Sequence, residues 1–180
     1  AITRNLSEAE SLREVKQKTL QTICEHLDWG IGALWLYDTT AEVLRCDVTW
    51  LSPLSTIQKF EKVTQEFTFV PGVGIPGRVW STGEPVWLPD IQQLANYPRQ
   101  DAAIADNLHT AVGFPIKLGG KILGVMEFFS RKIQEPEHDL LLMFTTFGNQ
   151  FGQYISRKQA EEDLRQSELN YRLLYDAAPV

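Results

Sequence analysis

Few residues in this 180-residue chain have the types and spacing that chemistry needs. Gly72-Val73-Gly74-Ile75-Pro76-Gly77 spells G-x-G-x-x-G, the pattern that lets a strand-to-helix turn approach a dinucleotide pyrophosphate. That use needs an uninterrupted strand before it and a full helix after it. Pro71 interrupts the entry, and Gly83 and Pro85 stop the exit within about two turns. The segment therefore reads as a tight turn feeding a short helix. His138-Asp139 has the look of a phosphoacceptor start, but Leu140 to Met143 follow with no basic residue and no proline, so His138 reads as the first turn of a helix. Cys24 and Cys46 have no Cys-x-x-Cys or His-x-His company, and read as small buried or half-buried apolar groups rather than metal ligands. No G-x-S-x-G elbow, phosphate-binding loop, H-E-x-x-H pair or isolated carboxylate dyad occurs. Nothing in the sequence argues for catalysis or for a metal.

The aromatic set is the more informative group. Trp35, Trp50, Trp80, Trp87, Tyr97 and Phe114 fall together with the polar residues Asp90, Arg99 and His109. A ligand pocket combines apolar walls with a few converging polar groups. The expected ligand-binding residues are therefore Trp35, Trp50, Trp87, Asp90, Tyr97, Arg99, His109 and Phe114. In that picture Arg99 and His109 face a cavity walled by Trp87, Tyr97 and Phe114, and Asp90 fixes the loop. Arg would offer a planar fork of donors to a carboxylate, phosphate or carbonyl-rich molecule. The alternative is that the tryptophans are core and the polar groups structural, with Arg99 paired to Asp101 or Asp106 at the surface.

Composition bounds the rest. With 43% hydrophobic and 22% charged residues the chain is globular. Its 17 Lys and Arg against 23 Asp and Glu give a net charge of −6, and no basic run occurs. That argues against nucleic acid and against anionic membrane surfaces as partners. No apolar stretch reaches the roughly 18 residues of a membrane span, and no signal peptide is visible. Two cysteines are too few for a disulfide scaffold, so the expected location is cytoplasmic.

The elements that must position these residues follow from periodicity. Residues 6–28 read as a helix with a Ser7–Glu10 capping box and Leu12, Val15, Thr19, Ile23 and Leu27 on one face. Residues 31–37 and 43–50 read as a strand hairpin. Ser52-Pro53 reads as a helix start with Ile57, Phe60, Val63 or Thr64, and Phe67 inward. Residues 71–109 read as a folded, loop-rich wall with a brief helix over 78–81 and a strand over 86–88. Residues 111–118 and 121–130 form a second hairpin about Gly119-Gly120. Pro136 then opens a helix that nothing breaks before Pro179. Its first half carries Leu140, Phe144, Phe147, Phe151 and Ile155. Its second half is charged, with Ala160, Leu164, Ser167, Tyr171 and Leu174 as a weak heptad seam. The sum is an α+β fold: an antiparallel sheet of about six strands, terminal helices on one face and the loop-rich wall on the other.

These residues also carry a resemblance. Gly72-x-Gly74-Ile75-Pro76-Gly77-Arg78-Val79-Trp80, then Gly83-Glu84-Pro85-Val86-Trp87 and Asp90, resemble the central motif of a GAF domain. Phe114-Pro115-Ile116 and Gly124-Val125-Met126-Glu127-Phe128-Phe129 resemble that family's last strand pair. Trp29-x-x-x-Ala33-Leu34-Trp35, Leu44-Arg45-Cys46 and Trp50 are similar to GAF domains of cyanobacterial-type multidomain sensor kinases. Ala160-Glu161-Glu162-x-Leu164-Arg165 onward resembles the signalling helix before a PAS domain, and Asp176 to Val180 the first residues of one.

The resemblance implies three parts: a GAF domain over 1–156, a signalling helix over 157–175, and the start of a PAS domain over 176–180. It implies a regulatory sensory domain of a two-component protein, a sensor histidine kinase whose kinase core lies elsewhere. The fragment itself would be no enzyme; it would bind a small molecule or serve as a dimerisation and relay module. The alternative is a constitutive spacer without ligand. The implied partners are a second copy through the terminal helices and downstream PAS and kinase domains. Phytochrome-like members attach bilin through a Cys beside a His; Asn107-Leu108-His109-Thr110 has no Cys, so covalent bilin is not expected and any ligand is an unknown small molecule.

Overall fold

The computed structural model describes residues 11–178. Its elements are α1 (Leu12–Leu27), β1 (Ile31–Asp38), β2 (Val43–Leu51), α2 (Lys59–Glu66), β3 (Thr68–Phe69), α3 (Gly74–Thr82), β4 (Val86–Leu88), a 3₁₀ turn (Ile91–Gln93), α4 (Gln100–Ala105), β5 (Thr110–Leu118), β6 (Lys121–Ser130) and α5 (His138–Asp176). The six strands form one sheet in the order β3-β2-β1-β6-β5-β4, every neighbour pair antiparallel. The α+β architecture is the one expected.

Successive side chains on a strand point to opposite faces, and this splits the core in two. Leu34, Val112, Phe114, Ile116, Met126 and Phe128 meet α1 and the first half of α5 through Leu20, Cys24, Phe144, Phe151 and Ile155. Ile31, Ala33, Trp35, Val125 and Phe129 face the other way, into a cup closed by α2, α3, α4 and the segments between them. α5 lies hard against β5 because it presents two glycines there. A Cβ on Gly148 or Gly152 would sit under 3 Å from the carbonyl oxygens of Pro115 and Lys117.

Several boundaries differ from the periodicity reading. The Ser7–Glu10 box lies outside the described residues. Ser11 caps α1 instead, with a reciprocal Ser11–Glu14 box of 3.2 and 2.9 Å. Pro53 starts no helix. Residues 52–55 close a turn in which both the backbone N–H and the hydroxyl of Ser55 donate to the Ser52 carbonyl. Ile57 is then buried ahead of the helix, and α2 begins at Lys59. Its Phe60 N–H is satisfied by Asp106 Oδ2 at 2.6 Å, a carboxylate at the far end of α4. α3 starts at Gly74, ahead of the expected 78, because Pro76 falls where a helix's first turn needs no N–H. The 3₁₀ turn and α4 lie in the stretch expected to be a loop-rich wall, and β3 just ahead of it, where no element was expected.

Candidate functional site

Cross-strand register decides which residues can share a site. Gly113 pairs with Glu127, Phe114 with Met126 and Val112 with Phe128. Paired residues share a face, so Phe114 and Glu127 lie on opposite sides of the sheet. The eight residues expected to bind ligand therefore divide into three places. Trp35, Tyr97 and Arg99 belong to the cup. Trp50, Trp87 and Phe114 belong to the helix-covered core, where Phe114 stacks on Phe144 at 4.6 Å and Trp87 meets Trp29 edge-on at 5.9 Å. The indole N–H of Trp87 donates to the Gln134 carbonyl at 2.9 Å. Asp90 and His109 form a half-buried pair at the rim, Oδ1 to Nδ1 2.9 Å, and the same Asp90 oxygen caps the 3₁₀ turn through Gln92 N–H. No single cavity is walled by Trp87, Tyr97 and Phe114. The surface pairing of Arg99 with Asp101 or Asp106 is not formed either.

What Arg99 does is different from both pictures. It is 4% exposed and points into the cup. Its terminal nitrogens donate to Glu127 Oε1 at 2.5 Å and to Thr64 Oγ1 at 2.9 Å. The other Glu127 oxygen accepts the Trp35 indole N–H at 3.0 Å. Four rings surround the guanidinium: Phe60 at 4.7 Å, Phe69 at 5.0 Å, Phe129 at 5.3 Å and Trp35 at 5.5 Å from centroid. Aromatic faces attract a desolvated cation. Burial pushes the Glu127 carboxyl upward, against the opposing pull of Arg99 and the Trp35 N–H. Burial works to lower Arg99, and the facing Glu127, together with Tyr97 and Cys46, more than offsets it, so the guanidinium stays charged. An ion pair with its hydrogen bonds made is the form in which two charges tolerate such a site.

Glu127 was not among the residues expected to matter. Its signal was present: one acid between Met126 and Phe128 in a strand otherwise apolar from Val125 to Phe129. Around the pair two polar atoms remain buried without a hydrogen-bond partner of acceptable geometry, the Tyr97 hydroxyl and Arg99 Nε. Two clefts open beside Tyr97. One of about 390 Å³ runs past Val63 and the start of α4; the other, of about 200 Å³, lies between the first turn of α3 and residues 94–98. Burial raises both thiols, Cys24 and Cys46, to about 12. Among the described residues no cluster of three His, Cys, Asp or Glu could hold a metal, and no helix is long and apolar enough to cross a membrane. The arrangement is a packed cup built around a buried ion pair.

A family model described as the GAF domain matches residues 9–156. The chain belongs to the GAF domain family, a class of regulatory sensory modules found in signalling proteins. The GAF domain of a phosphoenolpyruvate-protein phosphotransferase from Coxiella burnetii superposes with a TM-score of 0.70 at 19% identity, covering 90% of this chain and 92% of that one. A domain of a putative two-component sensor histidine kinase protein from Sinorhizobium meliloti 1021 gives 0.65 at 19%, covering 87% and 99%. At these identities the likeness is one of fold. The transcription factor MYC1 of Arabidopsis thaliana is 38% identical over 96 residues, 51% of this chain; the chain spans 17% of that relative's length.

Proposed function

We propose that the chain is a dimerising signal-relay module of a two-component sensor, and that α5 passes the state of the cup to the segment that follows it. The observation that carries this reading is the continuity of α5. One helix of 39 residues packs its first half on β5 and projects its second half away from the domain. The projecting half exposes Leu164 by 62%, Tyr171 by 70% and Leu174 by 74%, at spacings of seven and three. A parallel partner helix would cover that seam. α1 and the flank of α5 add an apolar groove lined by Val15, Ile23, Phe147 and Tyr154. The likeness in fold to a domain of a histidine kinase protein supports the two-component setting.

The test is multi-angle light scattering at tens of micromolar, with far-UV circular dichroism as the folding control. The wild-type chain should run at twice its 20.5 kDa mass. Leu164→Glu with Leu174→Glu should run as a folded monomer. A monomeric wild type, or a double variant that stays dimeric, overturns the relay reading.

A second reading is a spacer that senses nothing. The filled cup favours it, since Arg99 and Glu127 occupy each other. Thermal unfolding against a panel of small metabolites separates the two: a saturable rise in Tm with one of them favours sensing, and none favours the spacer.

A further inference from the structure

We infer that the Thr110 hydroxyl is a two-position coupler between the wall of the cup and the segment that leads into α5. The argument is a shortage of protons. Thr110 opens β5 and is buried. Its Oγ1 lies 2.7 Å from the Pro89 carbonyl oxygen and 2.8 Å from that of Lys132. It also accepts the Gln134 backbone N–H at 2.8 Å. A hydroxyl has one hydrogen and two acceptor lone pairs. The Gln134 amide takes a lone pair, so a single proton is left for two carbonyls. At any moment one carbonyl is bonded and the other faces a lone pair at hydrogen-bond distance. Rotation about the Cβ–Oγ1 bond exchanges the two states and keeps the Gln134 bond in both.

The two carbonyls belong to different parts of the molecule. Pro89 follows Leu88, which packs against the cup, and precedes Ile91, which is fully buried in it. The 3₁₀ turn there is tied to α4 by the Gln100 side-chain amide, which donates to the carbonyls of Gln92 and Leu94 at 2.9 and 2.8 Å. α4 in turn opens at Arg99, one half of the buried ion pair. Lys132 and Gln134 lie on the other side, between the end of β6 and the start of α5. Gln134 is held there from two more directions. Its carbonyl accepts the Trp87 indole N–H, and its side-chain oxygen accepts that of Trp29 at 3.0 Å, just beyond the end of α1.

A movement of the cup wall that draws Pro89 away from Thr110 hands the proton to Lys132, and a movement toward it takes the proton back. Each transfer changes the hold on the residues that enter α5. Coupling between distant places needs one element with two discrete arrangements that both places bias, and this hydroxyl is such an element. The inference rests on the relay reading proposed above, and names the residue through which the cup would act on α5.

Carbonyl ¹³C shifts from triple-resonance NMR of the perdeuterated chain test it. Those of Pro89 and Lys132 are read through the amides of Asp90 and Ile133. The perturbation is Arg99→Met with Glu127→Leu, which removes both charges from the cup and leaves Thr110 in place. The two carbonyl shifts should move in opposite directions, one gaining the hydroxyl as the other loses it. The amides of the first turn of α5, His138 to Leu141, should move with them. Thr110→Val keeps the β-branch and has no proton to share. In that background the response of the α5 amides should be lost, and Thr110→Ser should restore it. A hydroxyl with a structural role alone would lower Tm in Thr110→Val and leave the response in place. Carbonyls that stay put or move together overturn the inference, as do α5 amides that still respond in Thr110→Val. Should the valine variant fail to fold, the carbonyl pair in the Thr110 protein decides by itself. A monomeric wild type with opposed carbonyl shifts sinks the relay reading alone, and a dimer with unmoved carbonyls sinks only the coupler.

Discussion

Removing the Glu127 carboxylate is the sharpest perturbation the structure offers. In Glu127→Ala the Arg99 guanidinium, 1% exposed at the side chain, keeps one hydroxyl partner and four aromatic faces, and the Trp35 indole N–H loses its acceptor. Breaking a buried pair by deleting one member costs about 3–5 kcal/mol, because the surviving charge is uncompensated. For a domain of this length that is a fall in Tm of roughly 6–20 °C. Total stabilities are about 5–15 kcal/mol, so the variant sits near the edge of folding. The double exchange Arg99→Met with Glu127→Leu keeps the outcome readable. It removes both charges and retains bulk, and such replacements are often neutral or stabilising. Urea unfolding followed by tryptophan fluorescence gives all the corners of the cycle. The expected pattern is a large loss in each single variant and recovery in the double. A loss below about 1 kcal/mol in Glu127→Ala, or a double variant as unstable as the two singles combined, would refute the account of the cup as an internally neutralised site.

Two further outcomes follow from packing and burial. Gly148→Ala with Gly152→Ala should lower stability by about 2 kcal/mol or more although alanine is the better helix former, because α5 must lift off the Pro115 and Lys117 carbonyls; a raised Tm would show that the close approach is not what positions the helix. With thiols pushed up to about 12, Cys24 and Cys46 hold almost no thiolate at pH 8, and iodoacetamide should label neither in native protein and both in denaturant, as read by mass spectrometry; rapid native labelling would reopen thiol chemistry.

The strands and the long helix were legible because their signals are local. Ile31 to Tyr37 and Val43 to Trp50 carry their own strand composition, Gly119 marks the β5–β6 turn with φ +60°, and nothing between Pro136 and Pro179 breaks a helix. The start of α2 was not legible, because the carboxylate that satisfies Phe60 N–H is Asp106, 46 residues away. The site was legible in type but not in grouping. The sequence groups Arg99, Tyr97 and Phe114 as ligand-binding residues; the structure puts Arg99 and Tyr97 together in the cup and Phe114 on the other side of the sheet. Only register separates them, and register is a property of two strands at once. Glu127 escaped notice because an acid in a strand looks like a solvent-facing residue until its neighbours on both faces are known to be buried.

The unbroken course of α5 has a geometric consequence. From Ser156 to Asp176 the helix advances about 30 Å beyond its last buried anchor, Ile155. A helix turns about 100° per residue, so the direction in which anything joined to Asp176 faces is set by a residue count. Deleting one residue from this stretch would swing that attachment through more than a quarter of a circle. Deleting seven would return it to within about 20° of its starting azimuth while drawing it in by about 10 Å. The stretch is thus a shaft with a fixed phase, on which the number of residues removed sets rotation and reach together.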